Sequence, residues 1–129
     1  MKDLRVLVFN FAKSHDYLNL IDPKPDDVGG YCCEVSEDLI KFLKKNEIDC
    51  KNIIGIEWNL PFEEDCDIQI KIGYCYFHMA VLVEETVIDL TSVQFGEKYK
   101  NQFYSKKEFY KRFKNVYIDL NDIELQKVL

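Results

Sequence analysis

The sequence has few residues that interrupt regular structure, no long apolar run and little arginine. It contains five Gly and three Pro among 129 residues, and 14% are aromatic, so disordered and collagen-like chains are excluded. No apolar segment approaches the roughly 18–20 residues that a membrane-spanning helix requires, so we expect no membrane partner. Residues 1–5 place an acid among basic side chains and lack a small-residue cleavage site, which argues against a signal peptide.

The scarcity of arginine bears on the choice of partner. Only two of the 17 basic residues are Arg, and the formal net charge is −6. Nucleic-acid binding needs clustered basic side chains that contact phosphates, and bidentate contacts need Arg in particular. The one basic stretch, residues 97–114, fits a solvated helix face. We therefore expect no nucleic-acid partner.

The chain also lacks an even set of cysteines. It has five, at positions 32, 33, 50, 66 and 75, whereas a secreted disulfide framework usually has an even number. A reducing environment is the better interpretation, and it predicts a cytoplasmic protein. Secretion as an effector without a classical signal is also compatible with the sequence.

The remaining features of the sequence predict one domain spanning residues 1–129. A chain of this length buries a substantial core by itself. The clearest element is an amphipathic helix over residues 31–45, in which Val35 and Leu39 follow helical spacing, with acids early and lysines late. Residues 4–12 fit a helix and a strand about equally, with the helix slightly favoured.

The second half of the chain has the pattern of short strands. Apolar runs, polar–apolar alternation and turn residues predict the strands, and two capping patterns predict helices near the C-terminus. The predicted strands cover residues 52–60, 67–72, 74–83, 86–90 and 116–120, the loops cover 22–30 and 61–67, and the helices run from Ser105 to about Phe113 and from Asn121 onward. One helix followed by antiparallel strands predicts an α+β fold, with the cysteine-bearing central helix packed on an antiparallel sheet.

Three polar side chains stand at positions that packing alone would not favour. Cys32 begins the central helix, His78 interrupts an apolar strand, and Asp89 lies in the next strand, where Asp is usually avoided. If residues 84–85 form a two-residue turn, His78 and Asp89 share one face of the sheet as diagonal neighbours. Gln94 is expected nearby, with no assigned role. The sequence therefore predicts a Cys–His–Asp site.

Helix phase distinguishes the two adjacent cysteines. Cys32 lies three residues before Val35, on the face that should pack against the sheet. Cys33 is rotated by about 100° from it, in phase with Ser36. Cys32 is therefore the cysteine expected to face the strand that carries His78.

A cysteine at a helix N-terminus beside an imidazole has the components of a nucleophile. The helix dipole and a neighbouring imidazolium lower a thiol pKa from about 8.5 to somewhere in the range of about 3.5–7.5. We expect Asp89 to fix the tautomer and orientation of His78, as the third member of a nucleophile–base–orienter set. The backbone N–H of Cys32 is the expected oxyanion donor.

These segments resemble a known superfamily. Gly30-Tyr-Cys-Cys-Glu-Val-Ser36 looks like the nucleophile motif of papain-like and transglutaminase-like cysteine enzymes, with Ser36 as the small residue after the cysteine. Residues 78–83 and 87–95 resemble the histidine strand and the acid-bearing segment that follows it. The resemblance is closest to small bacterial and phage transglutaminase-like domains.

The resemblance implies a fold and a chemistry. The fold would be a papain-like or transglutaminase-like core, and Cys32, His78 and Asp89 would be the catalytic residues. They would act on a protein or peptide amide through a thioester, an intermediate shared by hydrolysis, glutamine deamidation and acyl transfer to an amine. We expect neither a cofactor nor a metal.

The same residues also have purely structural interpretations. Cys32 fits a small buried helix residue, His78 a core histidine, and Asp89 a residue at a strand end. Cys75 and His78 have the spacing of half a zinc site, but a strand would direct them to opposite faces. Trp58 fits either a core position or the lining of a substrate cleft.

A second hypothesis for function is a catalytically inactive member of the same fold. It would act as a protein-binding, immunity-like or adaptor module. Asp26 stands where papain-like enzymes usually carry an oxyanion Gln, and Cys33 stands where an aromatic residue usually follows the nucleophile. These departures and the acidic segment 63–67 favour this alternative.

Overall fold

The computed structural model describes residues 3–16, 18–19, 21–28, 31–71 and 77–129. The helices in these ranges are α1 (Leu4–Ala12), α2 (Pro25–Val28), α3 (Cys32–Lys45), α4 (Ile68–Lys71), α5 (Lys106–Arg112) and α6 (Asp122–Val128). The strands are β1 (Lys51–Trp58), β2 (Phe77–Val83), β3 (Thr86–Ile88), β4 (Phe103–Ser105) and β5 (Phe113–Ile118). Two 3-10 helices, Ser92–Phe95 and Glu97–Tyr99, connect β3 to β4.

The strands form one five-stranded antiparallel sheet in the order β4-β3-β2-β1-β5. The α+β class predicted from the sequence is therefore confirmed. β5 is an edge strand, as predicted, although it begins at Phe113 rather than near residue 116. Within the described ranges, no helix has the length and apolar character needed to cross a membrane.

Helix α3 is the main cover on one face of the sheet. Its apolar positions recur at helical spacing, Glu34 lies in its first turn, and Lys44 and Lys45 lie in its last, which suits the helix dipole. The Ser36 hydroxyl is buried and donates to the Met79 carbonyl of β2 at 3.0 Å. The predicted central helix is thus confirmed, and it packs on the sheet as expected.

The two faces of β2 have different neighbours, because successive side chains of a strand point to opposite sides. Met79 and Val81 pack with the buried residues of α3 and β1. Ala80 and Leu82 pack on the other side, with aromatic residues of the first 3-10 helix, α5 and β5. His78 belongs to this second face, since its ring contacts Phe95.

The hairpin between β2 and β3 has the predicted register. Val81 pairs with Ile88 and Val83 with Thr86, and the turn residue Glu84 adopts a positive φ of 53°. The second strand ends at Ile88, however, so Asp89 lies just beyond it rather than inside it. This places Asp89 at a strand end, where an acidic residue costs less than in a strand interior.

Two local predictions were wrong. Residues 67–72 were predicted as a strand, but the backbone N–H groups of Ile70 and Lys71 donate to the Asp67 carbonyl and close the short helix α4. A polar–apolar alternation over six residues is too short to exclude a helical turn. The predicted loop 22–30 contains α2, which begins at Pro25, a favoured first helical residue. Residues 72, 29 and 30 lie outside the described ranges.

The capping predictions near the C-terminus are confirmed. The Ser105 hydroxyl accepts from the Glu108 backbone N–H at the start of α5. Asn121 and Glu124 form a full capping box at the start of α6. α5 ends at Arg112, one residue before the predicted end.

Candidate functional site

His78 and Asp89 form a buried pair at the centre of the site. Each side chain is 1% exposed, and His78 Nε2 lies 2.9 Å from Oδ1 and 2.8 Å from Oδ2 of Asp89. The contact predicted from the hairpin register is therefore present. A buried carboxylate beside an imidazole requires such a partner, because burying an isolated charge is very costly.

Asp89 is fixed by its neighbours as well as by His78. Its backbone N–H donates to the Gln102 carbonyl at 2.8 Å, which ties the end of β3 to the segment before β4. The Tyr104 hydroxyl donates to Oδ2 at 2.5 Å. Tyr104 is not predictable from the sequence, since a Tyr in a strand is an ordinary β-former and only the β3–β4 pairing brings it close to Asp89.

Gln94 occupies the other side of the imidazole. Its Nε2 lies 3.0 Å from His78 Nδ1 and 3.4 Å from Thr91 Oγ1. The neutral imidazole in this arrangement carries its proton on Nε2, which donates to Asp89, and accepts at Nδ1 from the amide. When both ring nitrogens are protonated, the amide must turn its oxygen toward Nδ1. The sequence placed Gln94 near the site, but its contact was not predicted.

Cys32 is the first residue of α3 and faces the sheet. Its side chain is 6% exposed and packs with Ile54 and Met79, whereas Cys33 is only half-buried. The helix-phase preference for Cys32 as the inward-facing cysteine is thus confirmed. Cys32 is also close enough to His78 for each group to shift the pKa of the other.

The thiol and the imidazole come from opposite layers of the molecule. α3 covers the Met79 face of β2, whereas the His78 ring lies among the aromatic residues of the other face. β3 pairs with β2 only from Val81 to Val83. Within the described residues, β2 therefore has no strand partner beside His78 on its β3 side, although β1 pairs with it on the other side.

The pKa of Cys32 is shifted in the direction opposite to the expected one. Contact with the Cys33 side chain raises it well above its ordinary value, burial raises it further, and His78 only partly offsets these effects. The imidazole lowers the pKa of Cys32 as expected, but the net shift is upward, so the expected low pKa of this thiol is wrong. The Cys33 contact and burial thus favour the neutral form of the Cys32 thiol.

Asp89 controls the charge state of His78. Burial by itself would lower the pKa of His78, but the charge and hydrogen bond of Asp89 raise it to about 10. Burial would likewise raise the pKa of Asp89, yet His78, with help from Tyr104 and Arg112, holds it below its ordinary value. At neutral pH the pair is an imidazolium and a carboxylate, and Cys32 is a thiol.

Aromatic rings surround the imidazole. Phe95 meets it edge-on at 4.9 Å between ring centroids, and Phe113 is nearly parallel to it at 5.7 Å. Gly55, the residue paired with His78 across β1 and β2, makes room for Phe113, because a Cβ there would lie 2.2 Å from the Phe113 ring. Trp58 stacks on Phe95 at 4.2 Å and so belongs to this packed cluster.

The basic stretch 97–114 is not a single solvated helix face. It contains a 3-10 helix, β4 and α5, and Arg112 is buried with its guanidinium 3.9 Å from the Tyr104 ring centroid and 4.9 Å from that of Tyr99. The prediction failed because the apolar stem and flat head of Arg pack on aromatic rings. The remaining cations of the stretch include exposed ones such as Lys98.

The zinc alternative finds no support in the described residues, where no group of three or more His, Cys, Asp or Glu side chains is arranged to hold a metal. Cys75, the cysteine of the Cys75–His78 spacing, lies outside the described residues.

Comparison of the chain with protein-family models, with curated proteins and with solved structures finds no match.

Proposed function

We propose that the protein is a cysteine-dependent amide hydrolase or acyltransferase with a transglutaminase-like or papain-like arrangement. Cys32 is the nucleophile, His78 the general base and acid, and Asp89 the residue that orients the imidazole. The observation that carries the proposal is a wholly buried His78–Asp89 pair with a thiol beside it at the start of a helix. A nucleophile, a base and an orienting carboxylate are the parts that acyl transfer requires.

The reaction would proceed through a thioester. The Cys32 sulfur attacks the amide carbonyl carbon after its proton has passed to His78 Nδ1, and the carbonyl oxygen becomes an oxyanion beside the N-terminus of α3. His78 then returns the proton to the nitrogen of the leaving amine, and the C–N bond breaks. Water or a second amine then attacks the thioester carbonyl carbon while His78 takes up its proton, the C–S bond breaks, and the proton passes to the Cys32 sulfur as it is released. The substrate proposed is an amide of a protein or peptide.

The charge state of the site sets a condition on this scheme. At neutral pH His78 already carries two ring protons, so it accepts the thiol proton only after losing one of them to solvent. Gln94 must also release Nδ1, because its amide lies 3.0 Å from that nitrogen. We therefore expect the reactivity of Cys32 to rise with pH instead of being constant down to acidic pH.

A second candidate function is supported by the burial of the thiol. Cys32 is 6% exposed, and its interaction with Cys33 raises its pKa, as suits a small core residue. In that case the His78–Asp89 pair stabilises the fold, and the protein acts as a binding, immunity-like or adaptor module without catalysis.

Alkylation kinetics distinguish the two candidates. The native protein is treated with iodoacetamide from about pH 6 to pH 9, and the modified cysteines are mapped by mass spectrometry. The enzyme proposal predicts that Cys32 reacts faster than Cys50 and Cys66, the other cysteines that are buried among the described residues. It also predicts that His78→Ala slows the reaction at Cys32 by about ten-fold or more, because the base that takes up the thiol proton is lost.

The matched control is His15→Ala, which removes the other histidine of the chain. His15 contacts Asp38 and Phe11, so its removal should leave labelling of Cys32 unchanged. Labelling of Cys32 at the rate of Cys50 and Cys66, with no effect of His78→Ala, would overturn the enzyme proposal and favour the binding module.

A further inference from the structure

Two residues extend the candidate site beyond Asp89. Tyr104 lies in β4 and donates its hydroxyl proton to Asp89 Oδ2 at 2.5 Å. Arg112, the last residue of α5, lies over the Tyr104 ring, with its guanidinium carbon 3.9 Å from the ring centroid. A continuous series of contacts thus runs from Arg112 through Tyr104 and Asp89 to His78.

Arg112 is unusually placed for a charged residue. Its side chain is 7% exposed and lies between the rings of Tyr104 and Tyr99. Nε is 3.4 Å from Glu108 Oε1, and Nη1 has no hydrogen-bond partner among the described residues. Burying a cation without a full set of partners is costly, so a compensating interaction is required. The rings and the buried negative charge of Asp89 provide it.

We propose that Tyr104, held in place by Arg112, is a positioning residue of the Cys32–His78–Asp89 site. Its hydroxyl fixes the Asp89 carboxylate so that both oxygens face His78 Nε2, which leaves Nδ1 of the same ring directed toward Gln94. The inference rests on the proposed function for its catalytic meaning, but the positioning itself is a property of the folded protein.

The electrostatics are consistent with this geometry. After burial and His78, the hydrogen bond from Tyr104 and the charge of Arg112 are what act on the pKa of Asp89, and both lower it. The groups that face Asp89 and His78 from the surrounding elements are Cys32 from α3, Tyr104 from β4 and Arg112 from α5. Removing the hydroxyl should therefore favour the protonated form of Asp89.

The test compares two Tyr→Phe variants. Tyr104→Phe removes the hydroxyl but keeps the ring beneath Arg112, and Tyr99→Phe removes the hydroxyl of the second ring that contacts the same guanidinium. The carboxyl carbon of Asp89 is followed by ¹³C NMR during a pH titration. We expect its titration to move upward by about one to two pH units in Tyr104→Phe, because a hydrogen bond to a charged group is lost, and to stay within about 0.3 unit in Tyr99→Phe.

Two substitutions test Arg112, one that removes its charge and one that keeps it. Arg112→Met should shift the Asp89 titration upward by a smaller amount, and Arg112→Lys, which keeps the charge, should bring it back toward the native value. Equal titrations of Tyr104→Phe and Tyr99→Phe would overturn the role of Tyr104. Equal titrations of Arg112→Met and the native protein would remove Arg112 from the proposal.

A measurement on the native protein applies even if a variant does not fold. A hydroxyl hydrogen bond to a buried carboxylate gives a slowly exchanging, low-field proton signal for Tyr104, and its absence would overturn the proposal. Cys32 alkylation then separates this inference from the proposed function. About ten-fold slower labelling in Tyr104→Phe supports both. If the Asp89 titration shifts in Tyr104→Phe but Cys32 of the native protein is no more reactive than Cys50, the positioning role is supported and the enzyme proposal is overturned.

Discussion

At the scale of single residues, the behaviour of Cys32 depends mainly on the residue next to it. The interaction with Cys33 is the largest cause of its raised pKa, and burial is the second. Residue 33 therefore has a direct effect on the pKa of Cys32. In this chain residue 33 is a second cysteine, and its effect on the pKa of Cys32 is opposite to that of His78.

We expect Cys33→Ala to lower the pKa of Cys32 and to increase its alkylation rate at neutral pH by several-fold, because the thiolate is the reactive form. The measurement is the pH–rate profile for iodoacetamide, whose midpoint should move to lower pH. Cys50→Ala removes a cysteine in the core around α3 and should leave the profile unchanged. A Cys33→Ala profile that coincides with the native one would show that the second thiol does not control the first.

At the scale of elements, the close approach of β5 to β1 shapes the aromatic side of the site. Gly55 pairs with His78 on one side and Val116 on the other, and the Phe113 ring occupies the space above it. A methyl group at position 55 would overlap this ring. Because Gly55 has no side chain, the Phe113 ring can lie beside His78.

Gly55→Ala should destabilise the protein by about 1–3 kcal/mol, since overpacking a dense core forces side chains out of their preferred positions. Urea denaturation measures the loss. Phe113→Leu in the same background should recover part of it, and the double-mutant cycle isolates the coupling between the two positions. If the single variant is as stable as the native protein, the Phe113 ring does not lie where the structure has it.

The elements also explain which features were predictable. The phase of α3, the β2–β3 register and the His78–Asp89 contact follow from local periodicity and a two-residue turn, so they could be read from residues near one another in sequence. The contact of Tyr104 with Asp89 could not be predicted in this way, because the two residues are 15 positions apart and only the pairing of β3 with β4 brings them together. The raised pKa of Cys32 depends on its contact with the Cys33 side chain and on burial, and a helical pattern quantifies neither.

At the scale of the whole molecule, the buried pair makes stability depend on pH. The folded-state pKa of His78 is about 10 against an ordinary value of 6.5, so its stabilising contribution is complete below about pH 6.5 and is lost toward pH 10. The pKa of Asp89 is lowered, so its contribution is complete above its ordinary value of 3.8 and is lost as pH falls through the folded value.

The pair should therefore stabilise the fold most between about pH 4 and pH 6.5. Above that window the free energy of unfolding should fall by up to about 1.4 kcal/mol per pH unit for this one proton. Urea denaturation at several pH values between about 5 and 9 measures the slope. His78→Gln removes the titrating group while other charges continue to titrate, so its slope should be clearly smaller. Parallel curves for the two proteins would contradict the prediction.

The stacking of Trp58 on Phe95 has one further consequence. Trp58 is the single tryptophan of the chain, and the ring on which it lies also meets His78 edge-on at 4.9 Å. Indole emission responds to charge and to packing in its immediate surroundings. The protein thus contains its own optical probe, one aromatic ring away from the imidazole. Changes at the buried pair can be followed by fluorescence in the unmodified chain, without an attached dye.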